Sequence, residues 1–136
     1  MGSTPVEVHR TGEHTFTATN DRGAGVAIGR DGAPEAFTPG ELLLAAIAGC
    51  SAVTSENLLV RRIGDDAEIT VRADRDKTPD DPNKFSRIRV HLDADLADVD
   101  DPDKVLDAVR RAIDRYCTVS RTVEEGTPID LALPEV

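Results

Sequence analysis

The sequence is poor in aromatic residues and in cysteine. Its 136 residues include no Trp, one Tyr, three Phe and two Cys. Aromatic cages and base-stacking platforms need several rings, so both are excluded. The core must be built from Ala, Val, Leu and Ile, and the length is sufficient for one domain spanning residues 1–136.

Metal ligands and cofactor-binding motifs are scarce as well. Cys50 and Cys117 lie far apart with no CxxC motif, and His9, His14 and His91 are scattered along the chain. Zinc sites use closely spaced Cys and His, and the sequence also lacks a phosphate-binding glycine loop and a GxSxG motif. We therefore expect neither a metal nor a cofactor.

Long hydrophobic runs are absent. The longest, Leu42 to Cys50, has nine residues, whereas a membrane-spanning helix needs about 20. No basic segment followed by an apolar stretch stands at the N-terminus. The sequence predicts a soluble, cytoplasmic protein with no membrane partner.

Negative charge dominates the composition. The chain has 16 basic and 26 acidic side chains, which gives a net charge of -10. This field repels nucleic acids and anionic lipids, so neither is an expected partner. Asp outnumbers Glu 17 to 9 and Arg outnumbers Lys 13 to 3, a pattern that indicates either a halophilic source or a GC-rich genome.

The order of turn signals and hydrophobic patterns predicts an α+β chain. Period-two alternation indicates strands, and helical spacing of apolar residues after Asp101-Pro102 indicates a second helix. A polar loop, Thr78 to Asn83, separates the fourth and fifth strands. The predicted strands are 5–10, 14–19, 25–29, 67–76, 85–95 and 129–133, and the predicted helices are 38–64, a second from 101 and a third over 118–125.

A strong helix start precedes the apolar run. Thr38, Pro39 and Glu41 combine an N-cap, a proline at the first helical position and a capping-box acceptor. The helix continues to about Gly64. Its first half, Leu42 to Val53, is apolar almost all round, which predicts burial in a dimer.

The two cysteines are the candidate reactive groups. Cys50 lies in the middle of the long helix, and Cys117 lies where one predicted helix ends and the next begins. A helix N-terminus lowers the pKa of a thiol, and Arg121 would add a positive charge if it shares that face. The alternative is that both cysteines are inert core residues.

Each cysteine lies in a distinctive segment: TPGELLLAAIAGCSAV contains Cys50, and RYCTVSRTVEEGTPIDLAL contains Cys117. These two segments resemble the OsmC/Ohr family of thiol-dependent hydroperoxide reductases, and within it the YhfA-like branch of OsmC-like proteins. The resemblance implies an OsmC-like fold with the order βββ-α-ββ-α-α-β. It also implies an intertwined homodimer in which two long central helices pack against antiparallel sheets.

The resemblance further implies a redox-active cysteine pair that acts in oxidative stress. Cys50 would attack an organic hydroperoxide, and Cys117 would resolve the product as a disulfide that a dithiol reductant reduces. The alternative is a small-molecule or partner-binding protein of the same fold in which the cysteines are structural.

The sequence departs from the family pattern at two positions. The family Glu after the helix-start proline falls on Gly40, and Glu41 comes one place later. The stretch 11–20, where the family's activating Arg is expected, contains no Arg. Arg10 and Arg30 are substitutes by proximity in sequence only, and Glu41 is better explained as a helix cap.

Overall fold

The structure, a computed structural model, describes residues 5–135. It divides into an N-terminal unit that ends at Ala45 and a C-terminal unit that begins at Ala46. The single domain expected from the sequence stays a prediction. The elements are β1 (Glu7–Gly12), β2 (Thr15–Thr19), β3 (Gly25–Gly29), α1 (Pro39–Ile63), β4 (Ile69–Thr78), β5 (Asp81–Ala94), α2 (Pro102–Tyr116) and α3 (Thr118–Glu124).

The N-terminal unit is an antiparallel sheet with the strand order β1-β2-β3. The turn between β2 and β3 begins at Asn20, whose side-chain oxygen accepts from the backbone N–H groups of Arg22 and Ala24, both at 3.0 Å. Gly23 adopts a φ of 90°, which glycine does without steric cost. The predicted meander is confirmed.

The predicted capping box closes the start of α1. The Thr38 N–H donates to Glu41 Oε1 at 2.9 Å, and the Glu41 N–H donates to Thr38 Oγ1 at 3.1 Å. Both bonds satisfy donors that would otherwise lack a partner within the helix. The helix runs for 25 residues, as the sequence predicts.

This geometry predicts different effects for the two capping residues. Thr38→Ala should lower the free energy of unfolding by about 1 kcal/mol because the Glu41 N–H loses its acceptor. Glu41→Gln should leave stability nearly unchanged, since the Gln carbonyl still accepts from Thr38. Urea unfolding measures both. Loss of activity in Glu41→Gln with unchanged unfolding would instead assign Glu41 to the active site.

The C-terminal unit has its core between α1, α2 and the β4-β5 hairpin. Leu59, Val105 and Val109 are buried and touch one another. Asp101 caps α2, because its Oδ1 accepts from the Lys104 N–H at 3.3 Å. Partly buried side chains complete this core: Leu58, Ile63, Ile69, Leu92, Ala94, Leu96, Val99 and Ile113.

The β4-β5 connection corrects the predicted polar loop. β4 extends to Thr78 and β5 begins at Asp81, so only two residues form the turn. Thr78 pairs with Asp81, and the preceding Lys77 already pairs with Phe85. Residues 82–84 therefore form a bulge, which accommodates a proline that cannot donate to a ladder.

The C-terminal segment corrects the predicted order at its last element. Residues 127–135 form no strand in the described chain, although they show the apolar alternation of one. Ile129, Leu131 and Leu133 are 93%, 82% and 75% exposed. A strand needs a neighbour for its backbone hydrogen bonds, and the pattern of side chains alone does not provide one.

Helix α1 is the one described helix that is long and apolar enough to cross a membrane. A core helix of a soluble protein passes the same test, so this is weak evidence for a membrane span. The buried positions form one stripe at intervals of four residues, namely Ile47, Ser51, Ser55 and Leu59. Such a stripe is typical of a helix that packs against protein.

Candidate functional site

The two cysteines lie next to each other in the C-terminal unit. The Cys50 thiol and the Ser51 hydroxyl lie close enough to Cys117 to lower the pKa of its thiol. Cys50 and Ser51 are consecutive residues of α1, and both thiols are free. The structure thus brings together the two thiols proposed from the sequence.

The backbone at the α2-α3 junction fixes the position of Cys117. Its φ of -73° and ψ of 96° are extended, so α2 ends there and α3 begins one residue later. The Cys117 N–H donates to the Ile113 carbonyl at 3.0 Å, and its carbonyl accepts from the Arg121 N–H at 3.0 Å. The residue is therefore attached to the last turn of one helix and the first turn of the next.

Solvent exposure distinguishes the two thiols. Cys117 is 0% exposed, whereas Cys50 is partly exposed at the margin of the buried stripe of α1. A reactant from solution can therefore reach the sulfur of Cys50 before that of Cys117. The buried Cys117 thiol is accessible to the neighbouring Cys50 rather than to solvent.

The surroundings of Cys117 favour its thiolate. Burial raises the pKa of this thiol, but hydrogen bonds with Ser120, Cys50 and Ser51 outweigh burial and bring the pKa below its usual value. In the protonated form the Cys117 S–H donates to Ser120 Oγ at 3.2 Å. After deprotonation the hydroxyl of Ser120 can rotate and donate to the sulfur.

Arg121 does not act as the cation that its sequence position suggested. Its Nη1 donates to the Arg115 carbonyl at 3.2 Å, and it is not among the groups that lower the pKa of Cys117. Those groups are all uncharged. The thiolate is therefore stabilised by hydrogen bonding rather than by an ion pair.

A cavity of about 470 Å³ adjoins the thiol pair through Ser120. Ser120 contacts the Cys117 sulfur and also lines this cavity. Arg87 and Glu124 are its charged lining residues, Ser86 and Ser120 are polar, and the apolar lining is Ile47, Phe85, Ile88, Val90 and Val123.

The sequence reasoning missed this cavity and the role of Ser120. The alternation in β5 predicts an inward side for Ile88 and Val90 but does not reveal that they line a cavity. Ser120 follows Cys117 by three residues, a spacing that places both on one face of a helical turn. This spacing was the sequence signal that could have identified Ser120.

The other candidate residues belong to the N-terminal unit. Arg10 lies in β1, Arg30 follows β3, and Glu41 is occupied by the capping box. Their relation to Cys50 stays a prediction. Within residues 5–135 there is no cluster of three or more His, Cys, Asp or Glu side chains that could hold a metal ion.

Known proteins match this chain over most of its length. An uncharacterized protein of Mycobacterium tuberculosis is 35% identical over 139 residues, which cover 98% of both chains. The protein YhfA of Escherichia coli is 26% identical over 85% of both chains.

A solved structure shows the same fold. The organic hydroperoxide resistance protein OhrB of Bacillus subtilis superposes with a TM-score of 0.55 and 22% identity, over 87% of this chain and 90% of that chain. The α+β fold class predicted from the sequence is confirmed by this likeness. The family model described as OsmC-like protein matches residues 31–132, so the chain belongs to the OsmC-like protein family.

Proposed function

We propose that the protein is a cysteine-based peroxidase that reduces organic hydroperoxides, with Cys50 as the attacking thiol and Cys117 as the resolving thiol. The observation that carries this proposal is a partly exposed Cys50 thiol close enough to the buried Cys117 to lower the pKa of the Cys117 thiol. The name of OhrB supports it as an activity of a protein with the same fold.

The first step oxidises Cys50. Its thiolate attacks one peroxide oxygen, so an S–O bond forms and the O–O bond breaks. The leaving alkoxide takes up a proton and departs as an alcohol. Cys50 is now a sulfenic acid, and the hydroperoxide has been reduced by two electrons.

The second step uses the buried thiol. The Cys117 thiolate attacks the sulfenic sulfur of Cys50, an S–S bond forms, and the hydroxide that leaves takes up a proton to give water. A dithiol reductant then restores both thiols and becomes a disulfide itself. The lowered pKa of Cys117 supplies the thiolate that this step requires.

The adjoining cavity suits the organic part of a substrate. Its walls are mainly apolar, and a volume of this size falls within the range of small-molecule sites. An alkyl or aryl group would remove apolar surface from water there, whereas hydrogen peroxide has no such group. We therefore expect a preference for organic hydroperoxides.

Two observations favour a homodimer as the active form. Val53, in the middle of α1, is 76% exposed in the single chain. A Cβ added at Gly49 would meet no atom within 4 Å, although glycine inside a helix costs about 1 kcal/mol relative to alanine. A second chain packed against this side of α1 would account for both.

The family's proteins are generally soluble, and the proposed setting is the cytoplasm under oxidative stress. Helix α1 is then a core helix of the dimer rather than a membrane span. The second candidate function is small-molecule binding without turnover. It is favoured by one observation, which is that only uncharged groups lower the pKa of Cys117.

Turnover assays distinguish these functions. Reduced protein with a dithiol should consume cumene hydroperoxide catalytically and hydrogen peroxide more slowly. A binding protein would bind cumyl alcohol in the cavity without consuming the hydroperoxide. Absence of turnover together with unmodified thiols would reject the peroxidase.

Ser120→Ala should slow disulfide formation. Without this donor the pKa of Cys117 rises toward its ordinary value, so the thiolate fraction at neutral pH falls. We expect the rate at pH 7 to fall by about 3- to 10-fold, as for the loss of one ordinary hydrogen bond. Stopped-flow measurements of disulfide formation against pH should show the midpoint displaced to higher pH.

Ser86→Ala is the matched control. Ser86 lines the same cavity, but its hydroxyl donates to the Asp76 carbonyl at 3.2 Å. Removal of this hydroxyl should leave the pH dependence of disulfide formation unchanged. An unchanged profile in Ser120→Ala, or an equal displacement in both variants, would contradict the role assigned to Ser120.

A further inference from the structure

Three arginines line an open groove between α1 and α2. The groove has a volume of about 780 Å³ and contains Arg61, Arg111 and Arg115. Its lining positions are 54, 57, 58 and 61 in α1, and 108, 111, 112 and 115 in α2, among others. Both sets follow the spacing of one helical face, so each helix presents one stripe of mixed polar and apolar residues to the groove.

These guanidinium groups have no carboxylate partner among the described residues. Two arginines of the same unit are paired, Arg72 with Asp93 at 2.8 Å and Arg89 with Asp74 at 2.7 Å. The arginines of the groove differ from the other unpaired arginines of this unit in lining one groove together. No described ion pair within 4.0 Å involves the three arginines of the groove.

Helix dipoles account for only part of this arrangement. Arg61 and Arg115 lie in the last turns of their helices, where a cation is favourable. Arg111 lies one turn earlier, where the helix dipole does not favour a cation. Asp114 also lines the groove. Asp114 carries one negative charge, and each helix end contributes about half of one. The three arginines therefore leave the groove with a net positive charge of about one, in a chain of net charge -10.

We propose that this groove binds an organic phosphate of the nucleotide class. Arginine forks match phosphate oxygens with two parallel hydrogen bonds, and a tetrahedral dianion offers enough oxygens for several guanidinium groups at once. The polar Thr54 and Asn57 on the same stripe of α1 add hydrogen-bonding groups. This site is independent of the cysteine chemistry.

The rest of the groove suits the organic part of such a ligand. Leu58, Ala108 and Ala112 provide an apolar lining between the arginines. Tyr116 is 63% exposed, and the Arg115 guanidinium carbon lies 5.4 Å from the centre of its ring. A single planar ring can stack on the Tyr116 ring or on the Arg115 guanidinium, which requires one aromatic residue rather than the several rings of a base-stacking platform.

Calorimetric titration of the full chain at low ionic strength tests the proposal with three probes. Adenosine monophosphate should bind saturably, inorganic phosphate should bind more weakly and compete with it, and adenosine should not bind detectably. Tyr116→Ala should weaken binding of adenosine monophosphate while leaving that of inorganic phosphate unchanged.

Two neighbouring arginines provide a matched pair of variants. Arg111→Gln should weaken binding of adenosine monophosphate by about tenfold or more, as expected for a lost charge-assisted hydrogen bond. Arg110→Gln removes the same charge from the adjacent position, which does not line the groove, and should change affinity less than about twofold. Circular dichroism checks that both variants fold.

Either of two results would overturn the proposal. Equal weakening by Arg110→Gln and Arg111→Gln would show a diffuse charge effect rather than a site. Absence of binding of adenosine monophosphate to the folded wild-type protein would show that the groove is not a nucleotide site. Neither result bears on the peroxidase reaction.

Discussion

Cys50→Ser should abolish hydroperoxide reduction, whereas Cys117→Ser should stop the reaction after its first step. A serine hydroxyl is not ionised at neutral pH and cannot replace the attacking thiolate. We expect the rate of hydroperoxide consumption in Cys50→Ser to fall by at least about a thousandfold. Consumption of cumene hydroperoxide under single-turnover conditions measures this loss.

The Cys117→Ser variant separates the attacking role from the resolving role. It should consume one equivalent of hydroperoxide and accumulate a sulfenic acid at Cys50, because no thiol is left to condense with it. A carbon nucleophile such as dimedone traps this species, and mass spectrometry of the protein detects the adduct. In Cys50→Ser the buried Cys117 should remain a free thiol.

The opposite pattern would reverse the assignment. Trapping at Cys117 in the Cys50→Ser variant would make the buried thiol the one that attacks. Equal and slow reaction of both cysteines, with no hydroperoxide dependence, would support the binding function. Unfolding curves of both variants show whether any loss comes from misfolding.

Val53→Glu should disrupt the dimer, which has an expected mass of about twice 14.6 kDa. Val53 is 76% exposed on α1, and the proposed dimer buries it against the second chain. A carboxylate buried there without a partner would cost several kcal/mol per site, and the change occurs in both chains. Sedimentation should show a monomer or a protein that fails to fold.

Leu106→Glu is the matched control for this effect. Leu106 is 42% exposed on α2, outside the region of α1 proposed to pack in the dimer, and this variant should still sediment as a dimer. A wild-type protein that is a stable monomer at micromolar concentration would contradict the proposed packing. A Val53→Glu dimer of unchanged affinity would contradict it as well.

Local signals were sufficient to predict most of the fold. The capping box at Thr38 and Glu41 uses residues three positions apart, and the structure contains both of its hydrogen bonds. The start of α2 is equally local, because Asp101 and Pro102 define it. In such cases neighbouring residues determine the backbone geometry, and tertiary contacts do not override it.

The two errors have a common physical cause. The bulge at residues 82–84 and the missing strand at 129–133 depend on which strand lies opposite. Alternation of apolar residues reports which side chains would face a core, but it does not identify a hydrogen-bonding partner. The residues that pair across a sheet therefore could not be obtained from the pattern.

The candidate site was predicted only in part for a similar reason. The resemblance to a family suggested Cys50 and Cys117, and their sequence positions implied no contact between them. Ser51 and Ser120 emerged from the structure, because both hydroxyl groups lie close enough to Cys117 to lower the pKa of its thiol. The spacing of Ser120 from Cys117 was the one available signal, and Ser51 belongs to no motif that predicts such a contact.

Disulfide mapping after oxidation tests the central claim most directly. Reduced wild-type protein should receive one equivalent of cumene hydroperoxide, followed by alkylation, proteolysis and mass spectrometry of the peptides. The account predicts that both thiols disappear together and that a single intramolecular Cys50–Cys117 disulfide forms, which a dithiol reverses. Two alkylated cysteines with the hydroperoxide unconsumed, or a disulfide that joins two chains, would contradict it.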